Sequence, residues 1–269
     1  MKSKIVKAAL ALTILCVTLT GCGGAGTSKE RPSVSGISSA DDFSGKNIGC
    51  QTGTTGHSFV SDTDGAQVCA FGTAKEAMAA LMSESIDAFV IDKEVAENLV
   101  SQYSKTRILE EPFAVEEYAI SFSKENGVLG AKINQALYDI KDDGTLNSIT
   151  AHWIGDNADQ QSYTPSPDLD RSNGKIIMGT NAAFAPFEDV DADNNIVGLD
   201  VDMMLAISDR LNMELEIVNM EFDSIITAVQ NGNVDVGVAA ITVTPERQEV
   251  VDFTQSYIKT NQVIIVKTY

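Results

Sequence analysis

From residue 45 onward the sequence alternates short apolar runs of strand length with segments of helical periodicity, in two blocks separated by a stretch showing neither pattern. In the first block, residues 47–50, 67–71 and 86–91 read as strands. Thr73 with Glu76 forms a capping box for a helix through Leu81, and 93–103 reads as another helix. Strand followed by helix, repeated, argues for a parallel sheet with helices on its faces. Residues 118–122 read as one further strand. A long helix follows, with Leu129, Ile133, Ala136, Leu137 and Ile140 on one face, and Gly144 separates it from a short helix over 145–153. Residues 155–174 are polar, hold Pro165 and Pro167, and read as a linker. The second block starts at Lys175, with strands over 175–179, 214–218, 234–238 and 262–267. Helices are expected over 200–211 and through Phe222, Ile225, Ile226 and Val229. Two α/β lobes are expected.

The chain carries 38 acidic and 19 basic residues, a net charge of −19, and a pI near 4.3. So acidic a surface repels phosphate backbones, which excludes a nucleic-acid partner. Three of the lysines, Lys2, Lys4 and Lys7, precede an apolar stretch over 8–19, too short for a membrane span and typical of an export signal. Leu19-Thr20-Gly21-Cys22 resembles a bacterial lipobox, which implies cleavage before Cys22 and lipid on its sulfur. Residues 1–21 are then signal peptide, and the Gly- and Ser-rich residues behind Cys22 are a flexible tether extending to about residue 39. Cys50 and Cys69 remain, either as a disulfide or as two buried thiols. No CxxC supports a redox or zinc site.

His57 and His152 are the two histidines, and neither lies within a ligand set or a nucleophile motif. Asp189, Asp191 and Asp193 have calcium-loop spacing, but Asn194 stands where the loop needs Gly, and Asp193-Asn194-Asn195 is good turn chemistry. No metal and no cofactor are expected. A distributed set of residues carries more. Thr244-Pro245 begins a helix that bears Arg247, which joins backbone N–H groups to a guanidinium, a combination suited to a carboxylate. Gly53-Thr54-Thr55-Gly56 is a second strand-to-helix anion loop, and Asp92 at a strand end suits an ammonium group. Together they form a clamp for a zwitterion.

These residues resemble those of the periplasmic-type solute-binding proteins for amino acids, the receptors of ABC importers. The matching runs are Gly179-Thr180-Asn181-Ala182-Ala183-Phe184-Ala185-Pro186-Phe187-Glu188, Val197-Gly198-Leu199-Asp200-Val201-Asp202 and Ile241-Thr242-Val243-Thr244-Pro245-Glu246-Arg247. Val251-Asp252-Phe253-Thr254, Gln51-Thr52-Gly53-Thr54-Thr55-Gly56 and Asp143-Gly144-Thr145 continue the likeness. It implies two Rossmann-like lobes with a cleft and hinge, the type II arrangement. In the family the Phe-x-Pro-Phe segment comes first, whereas here the Gly-Thr-Thr-Gly lobe does, so the chain resembles a circular permutant.

That order implies a smaller lobe over 40–117, hinge strand and larger-lobe helices over 118–154, a linker joining the ancestral termini over 155–174, and the rest of the larger lobe with a C-terminal hinge strand over 175–269. It also implies lobes tied covalently by the single strand 118–122, with the C-terminal strand contributing by packing alone. The resemblance assigns the ligand carboxylate to Arg247, the Thr242 hydroxyl and the Thr55 N–H, and the ammonium to Asp92 and the Ala240 carbonyl. Phe184 and Phe222 would sandwich the side chain, with Asn181 and Gln51 at its far end. Relatives for cationic amino acids commonly carry an acid at the position of Asn181, so a neutral or polar ligand is expected. The whole implies a monomeric lipoprotein outside the cytoplasm, binding a free amino acid and passing it to an ABC permease. An enzyme on the same scaffold would need a proton donor in the cleft, and a sensory domain would need a further signalling segment.

Overall fold

The computed structural model describes residues 34–109, 112, 114–155 and 162–269. The signal peptide, Cys22 and most of the tether lie outside them. Among the described residues no helix is long and apolar enough to cross a membrane.

Strand β1 (Asn47–Gln51) leads through the Gly-Thr-Thr-Gly loop into α1 (Thr55–Asp62). Then come β2 (Gln67–Phe71), α2 (Ala74–Met82), β3 (Ala88–Asp92) and α3 (Lys93–Gln102). The Thr73–Glu76 capping box forms as the sequence implies. Two further strands, β4 (Thr106–Ile108) and β5 (Ala114–Tyr118), close this part. Next are β6 (Ser121–Ser123), α4 (Gly127–Asp142), α5 (Thr145–Trp153) and β7 (Lys175–Thr180). The hairpin β8 (Asp189–Val190) and β9 (Ile196–Val197) precedes α6 (Leu199–Leu211), β10 (Glu214–Asn219) and α7 (Phe222–Gln230). The chain continues as β11 (Val236–Gly237), α8 (Pro245–Val250), β12 (Val251–Phe253) and β13 (Ile258–Lys267).

These strands make two main sheets with one design. The smaller lobe has the order β2-β1-β3-β13-β4, with β5 also on β13; the larger has β10-β7-β11-β6-β12. Each has three parallel strands, then an antiparallel strand donated by the other half of the sequence: β13 beside β3, and β6 beside β11. The expected single strand over 118–122 is therefore two. Its first residue ends β5 in one sheet, and Ser121 opens β6 in the other. The chain also crosses back between Phe253 and Ile258, so two covalent connections tie the lobes, not one. The crossings bind each other, with Tyr257 N donating to Tyr118 O at 2.8 Å and Thr254 N to Ile120 O at 3.0 Å.

Residues 162–174 have no regular structure, yet they are fastened to α6. Asp202 accepts from Trp153 Nε1 at 2.8 Å and Tyr163 N at 3.0 Å. Asp209, two turns further on, accepts from the Tyr163 hydroxyl, Ser166 N and Arg171. The polar composition that reads as a free linker here supplies donors to two buried carboxylates. Asp191 accepts from the Asp193 and Asn195 amides, and Asn194 has φ +71°, so the Asp-rich segment is the tight turn of the β8–β9 hairpin. Cys50 and Cys69 are free thiols. In the β1–β2 register Gly49 faces Cys69 and Cys50 faces Ala70, so the two side chains leave opposite faces of the sheet.

Candidate functional site

Ligand sites in open α/β sheets form at the carboxyl ends of parallel strands. Here four such ends meet across the lobes. Gln51 ends β1 and Asp92 ends β3 in the smaller lobe; Asn181 follows β7, and Ala239 and Ala240 follow β11, in the larger. They border one narrow cavity, lined by Gln51, Thr55, Asp92, Asn181, Phe184, Phe222, Ala240, Thr242 and Arg247. All nine residues singled out in the sequence are thus brought together. Thr54, Glu188 and Ala239 complete the lining and were not singled out.

Arg247 sits in the first turn of α8, opened by the Thr244 cap, whose hydroxyl accepts from Arg247 N. Its guanidinium lies 5.5 Å from the centre of the Phe222 ring and donates to Thr242 O at 2.7 Å and to Gly53 O of the opposite lobe at 3.1 Å. Two more bonds cross the cleft: Gln51 Nε2 to Asn181 Oδ1 at 2.9 Å, and a Lys75–Asp189 ion pair at 2.9 Å on the rim. The lobes stand closed on one another.

Gln51 also donates to Gly72 O at 3.0 Å, while Asn181 Nδ2 donates to Met220 O at 2.8 Å. Both amides are thereby oriented, and Gln51 Oε1 is left buried without a partner. Asp92 is buried and accepts from Gln262 Nε2 at 2.7 Å. Burial pushes its carboxyl up to about 8, and the nearby Glu116 and Glu94 add to the rise. The Tyr118 hydroxyl works against it from close by, without a hydrogen bond of ordinary geometry. Glu116 is itself buried, with Oε2 unpartnered. The smaller lobe therefore meets the cavity with the Asp92 carboxyl, and the larger lobe with the Arg247 guanidinium.

A second carboxyl pair lies in the larger lobe, with Glu188 in the cavity lining and Asp200 behind it. Asp200, in the first turn of α6, accepts from Ala240 N at 2.8 Å and from the Tyr257 hydroxyl at 2.9 Å, both on Oδ2. Its Oδ1 and both oxygens of Glu188 are buried with no donor among the described groups. Burial and the facing Asp200 carboxyl drive Glu188 well above the usual carboxylate range. Glu188 thus stays protonated and can share its hydrogen with Asp200. Sequence reading passed over Glu188 because an acid in so acidic a chain carries no local signal. Its pairing with Asp200 depends on the α6 start folding against Phe187, and this closeness requires Gly198, at φ +143°.

Residues 176–269 match the family described as bacterial extracellular solute-binding proteins, family 3. The L-cystine-binding protein TcyJ of Escherichia coli strain K12 is 28% identical over 121 residues, 44% of this chain and 46% of that protein. Among solved structures, arginine-bound domain 1 of TmArgBP is 37% identical over 38% of this chain and 86% of that one, with a TM-score of 0.32. An ancestral arginine-binding protein bound to arginine is 42% identical over 29% of this chain and 35% of that one, with a TM-score of 0.29. The chain spans about half the length of the curated relatives it matches.

His152 packs edge-on against Trp153 at 4.9 Å, and His57 Nδ1 accepts from Gly53 N at 3.2 Å. Among the described residues no group of three His, Cys, Asp or Glu side chains is arranged to hold a metal.

Proposed function

We propose that this chain is a family 3 solute-binding protein, a receptor for a free amino acid, which it holds between its closing lobes and hands to an ABC importer without chemical change. One observation carries the reading: Arg247 of the larger lobe and Asp92 of the smaller line the same cavity. A zwitterion can meet both at once only when the lobes are together. Arg247, Thr242 and the Thr55 N–H take the carboxylate; Asp92 and the Ala240 carbonyl take the ammonium. Phe184 and Phe222 enclose the side chain.

The ligand side chain is neutral and polar. Glu188 is uncharged and Asp92 is committed to the ammonium, so no free charge remains to match an ionic side chain. An unmatched charge buried there costs several kcal/mol, roughly. Gln51 Oε1, buried and unpartnered, favours a side chain that donates a hydrogen bond. Calorimetry with L-glutamine, L-cystine, L-arginine and L-glutamate tests the reading. Tighter binding of either charged amino acid would overturn the neutral preference, and silence from all twenty amino acids and cystine would overturn the receptor.

Two further parts of the reading concern the chain as a whole. The lipobox-like Leu19-Thr20-Gly21-Cys22 supports a lipid anchor at Cys22, keeping a monomeric receptor on the outer side of the cell membrane. Cys22→Ala would then move the protein from membranes to the soluble fraction. The order of motifs supports a circular permutation. The two sheets share one strand order, the 162–174 connection lies on the larger lobe, and Val34 N reaches Lys267 O at 2.8 Å within the smaller one. A chain rearranged to run 156–269 and then 34–155, which keeps the segment fastened to Asp202 and Asp209, should fold and bind alike, because the joined ends already meet.

A further inference from the structure

Ala240 has φ +48°, a left-handed conformation that a residue with a Cβ adopts only when its surroundings hold it there. Its neighbours on the chain are buried, and its carbonyl belongs to a residue lining the ligand cavity. The one hydrogen bond of its amide goes to Asp200 Oδ2, at 2.8 Å. The same oxygen accepts from the hydroxyl of Tyr257, which stands in the second crossing between the lobes. Tyr257 in turn bonds through its amide to the carbonyl of Tyr118, at the first crossing, with the two rings 6.3 Å apart. Asp200 therefore touches the wall of the cavity on one side and the hinge on the other.

We infer that Asp200 is a positioning residue: it holds Ala240 in the left-handed conformation that presents the Ala240 carbonyl to the ligand, and it fixes that loop to the hinge through Tyr257. The role of the carbonyl toward an ammonium group rests on the amino-acid reading; the hold on Ala240 does not. The chemistry suits the task. A carboxylate at the amino end of α6 is favoured by the helix dipole, so Asp200 stays the ionised member of the pair while Glu188 keeps the hydrogen. A charge-assisted bond to a backbone amide is stronger than a neutral one, enough to offset the cost of a positive φ at alanine. The remaining Asp200 oxygen and both oxygens of the neighbouring Glu188 are buried and make no hydrogen bond with any described group.

The test compares the full chain with Asp200→Ala, Asp200→Asn and the double variant Asp200→Ala with Ala240→Gly. The first readout uses the protein alone. Bonded to a carboxylate, the Ala240 amide proton should resonate far downfield by NMR. In Asp200→Ala it should move upfield, together with a changed HN–Hα coupling at residue 240. An Ala240 signal unmoved in Asp200→Ala overturns the inference, whatever the ligand. The second readout is calorimetry with L-glutamine, L-cystine and L-arginine. For any that binds, Asp200→Ala should weaken affinity roughly 10- to 100-fold. Asp200→Asn keeps an acceptor for Ala240 and should recover most of that loss. The double variant should recover part of it, because glycine takes a positive φ without being held. Equal losses in all three variants would reduce Asp200 to a general packing role and overturn the positioning one. If none of the three amino acids binds the wild type, the receptor reading suffers, while the NMR comparison still decides the hold on Ala240.

Discussion

The Arg247 guanidinium donates to the Gly53 carbonyl across the cleft at 3.1 Å, so the group best suited to a ligand carboxylate also joins the two lobes directly. A carboxylate entering the cavity competes for that guanidinium and replaces a neutral carbonyl with a charged acceptor, which makes the closed state more favourable with ligand than without.

Arg247→Ala should therefore weaken amino-acid binding by about 2–5 kcal/mol, or roughly 30- to 3,000-fold. Arg210→Ala is the control. Arg210 pairs with Asp143 at the exposed end of α6, away from the cavity, and its loss should leave affinity almost unchanged. Titration calorimetry on both variants decides the matter, and equal affinities would place the clamp elsewhere.

Much of this arrangement was legible in the sequence where the signal is local. The Thr73 box, the Thr244 cap and the helix over Thr145–Trp153 are each encoded by neighbouring residues, and they form as read. Of the nine cavity residues, Arg247, Thr55 and Asp92 were legible from local cap, loop and strand-end chemistry, whereas Thr242, Ala240, Phe184, Phe222, Asn181 and Gln51 were reached only through the family resemblance. What was not legible is what depends on which sheet a strand joins. Tyr118, Ala119, Ile120, Ser121 and Phe122 are all buried, so burial is continuous across the change of sheet and nothing in the pattern marks the break. β4 has three residues and β11 two, below the length at which periodicity is visible. Residues 162–174 look solvated because their partners, Asp202 and Asp209, are distant in sequence.

Those two carboxylates give a second prediction. Removing Asp209 strands the Tyr163 hydroxyl, Ser166 N and Arg171 together. Asp209→Ala should lower unfolding free energy by about 2–4 kcal/mol, as other broken networks around a buried charge do. It should also make 162–174 the first segment cut by a protease. Urea denaturation and timed proteolysis followed by mass spectrometry check both effects; unchanged cutting in the variant would mean the clasp does not hold the segment.

A third concerns Gly198. A Cβ there would collide with the Phe187 carbonyl, and the positive φ disfavours any side chain as well. Gly198→Ala should cost roughly 2–4 kcal/mol of stability, from strain and the backbone shift needed to relieve it. Because α6 starts one residue later, the variant should also disturb the Asp200 bond to Ala240. A thermal melt within a degree of wild type would show the junction to be far softer than its packing implies.

The last prediction is the pH dependence of binding. Asp92 is raised to about 8 by burial first, then by Glu116 and Glu94, with Tyr118 acting in the opposite sense and Arg247 the cation facing the same cavity. Its unfolded-state value lies near 4, so as a raised group it contributes stability that is fully present below about pH 4 and lost as pH climbs through about 8. An ammonium group beside Asp92 reverses this preference, because only the ionised carboxylate can pair with it. At pH 7 most of the ligand-free closed protein holds a proton on Asp92, and binding must expel it. Affinity should therefore rise with pH across about 6 to 8, by up to tenfold per unit, and level off once Asp92 is ionised without ligand. Proton release gives a direct check. The apparent binding enthalpy at pH 7 should differ between phosphate and Tris by a part of the difference in their ionisation enthalpies. In Asp92→Asn the slope of affinity against pH and the buffer effect should both vanish, along with most of the affinity. A wild-type affinity that is flat from pH 6 to 8, with equal enthalpies in the two buffers, would mean that Asp92 is not the group that meets the ammonium.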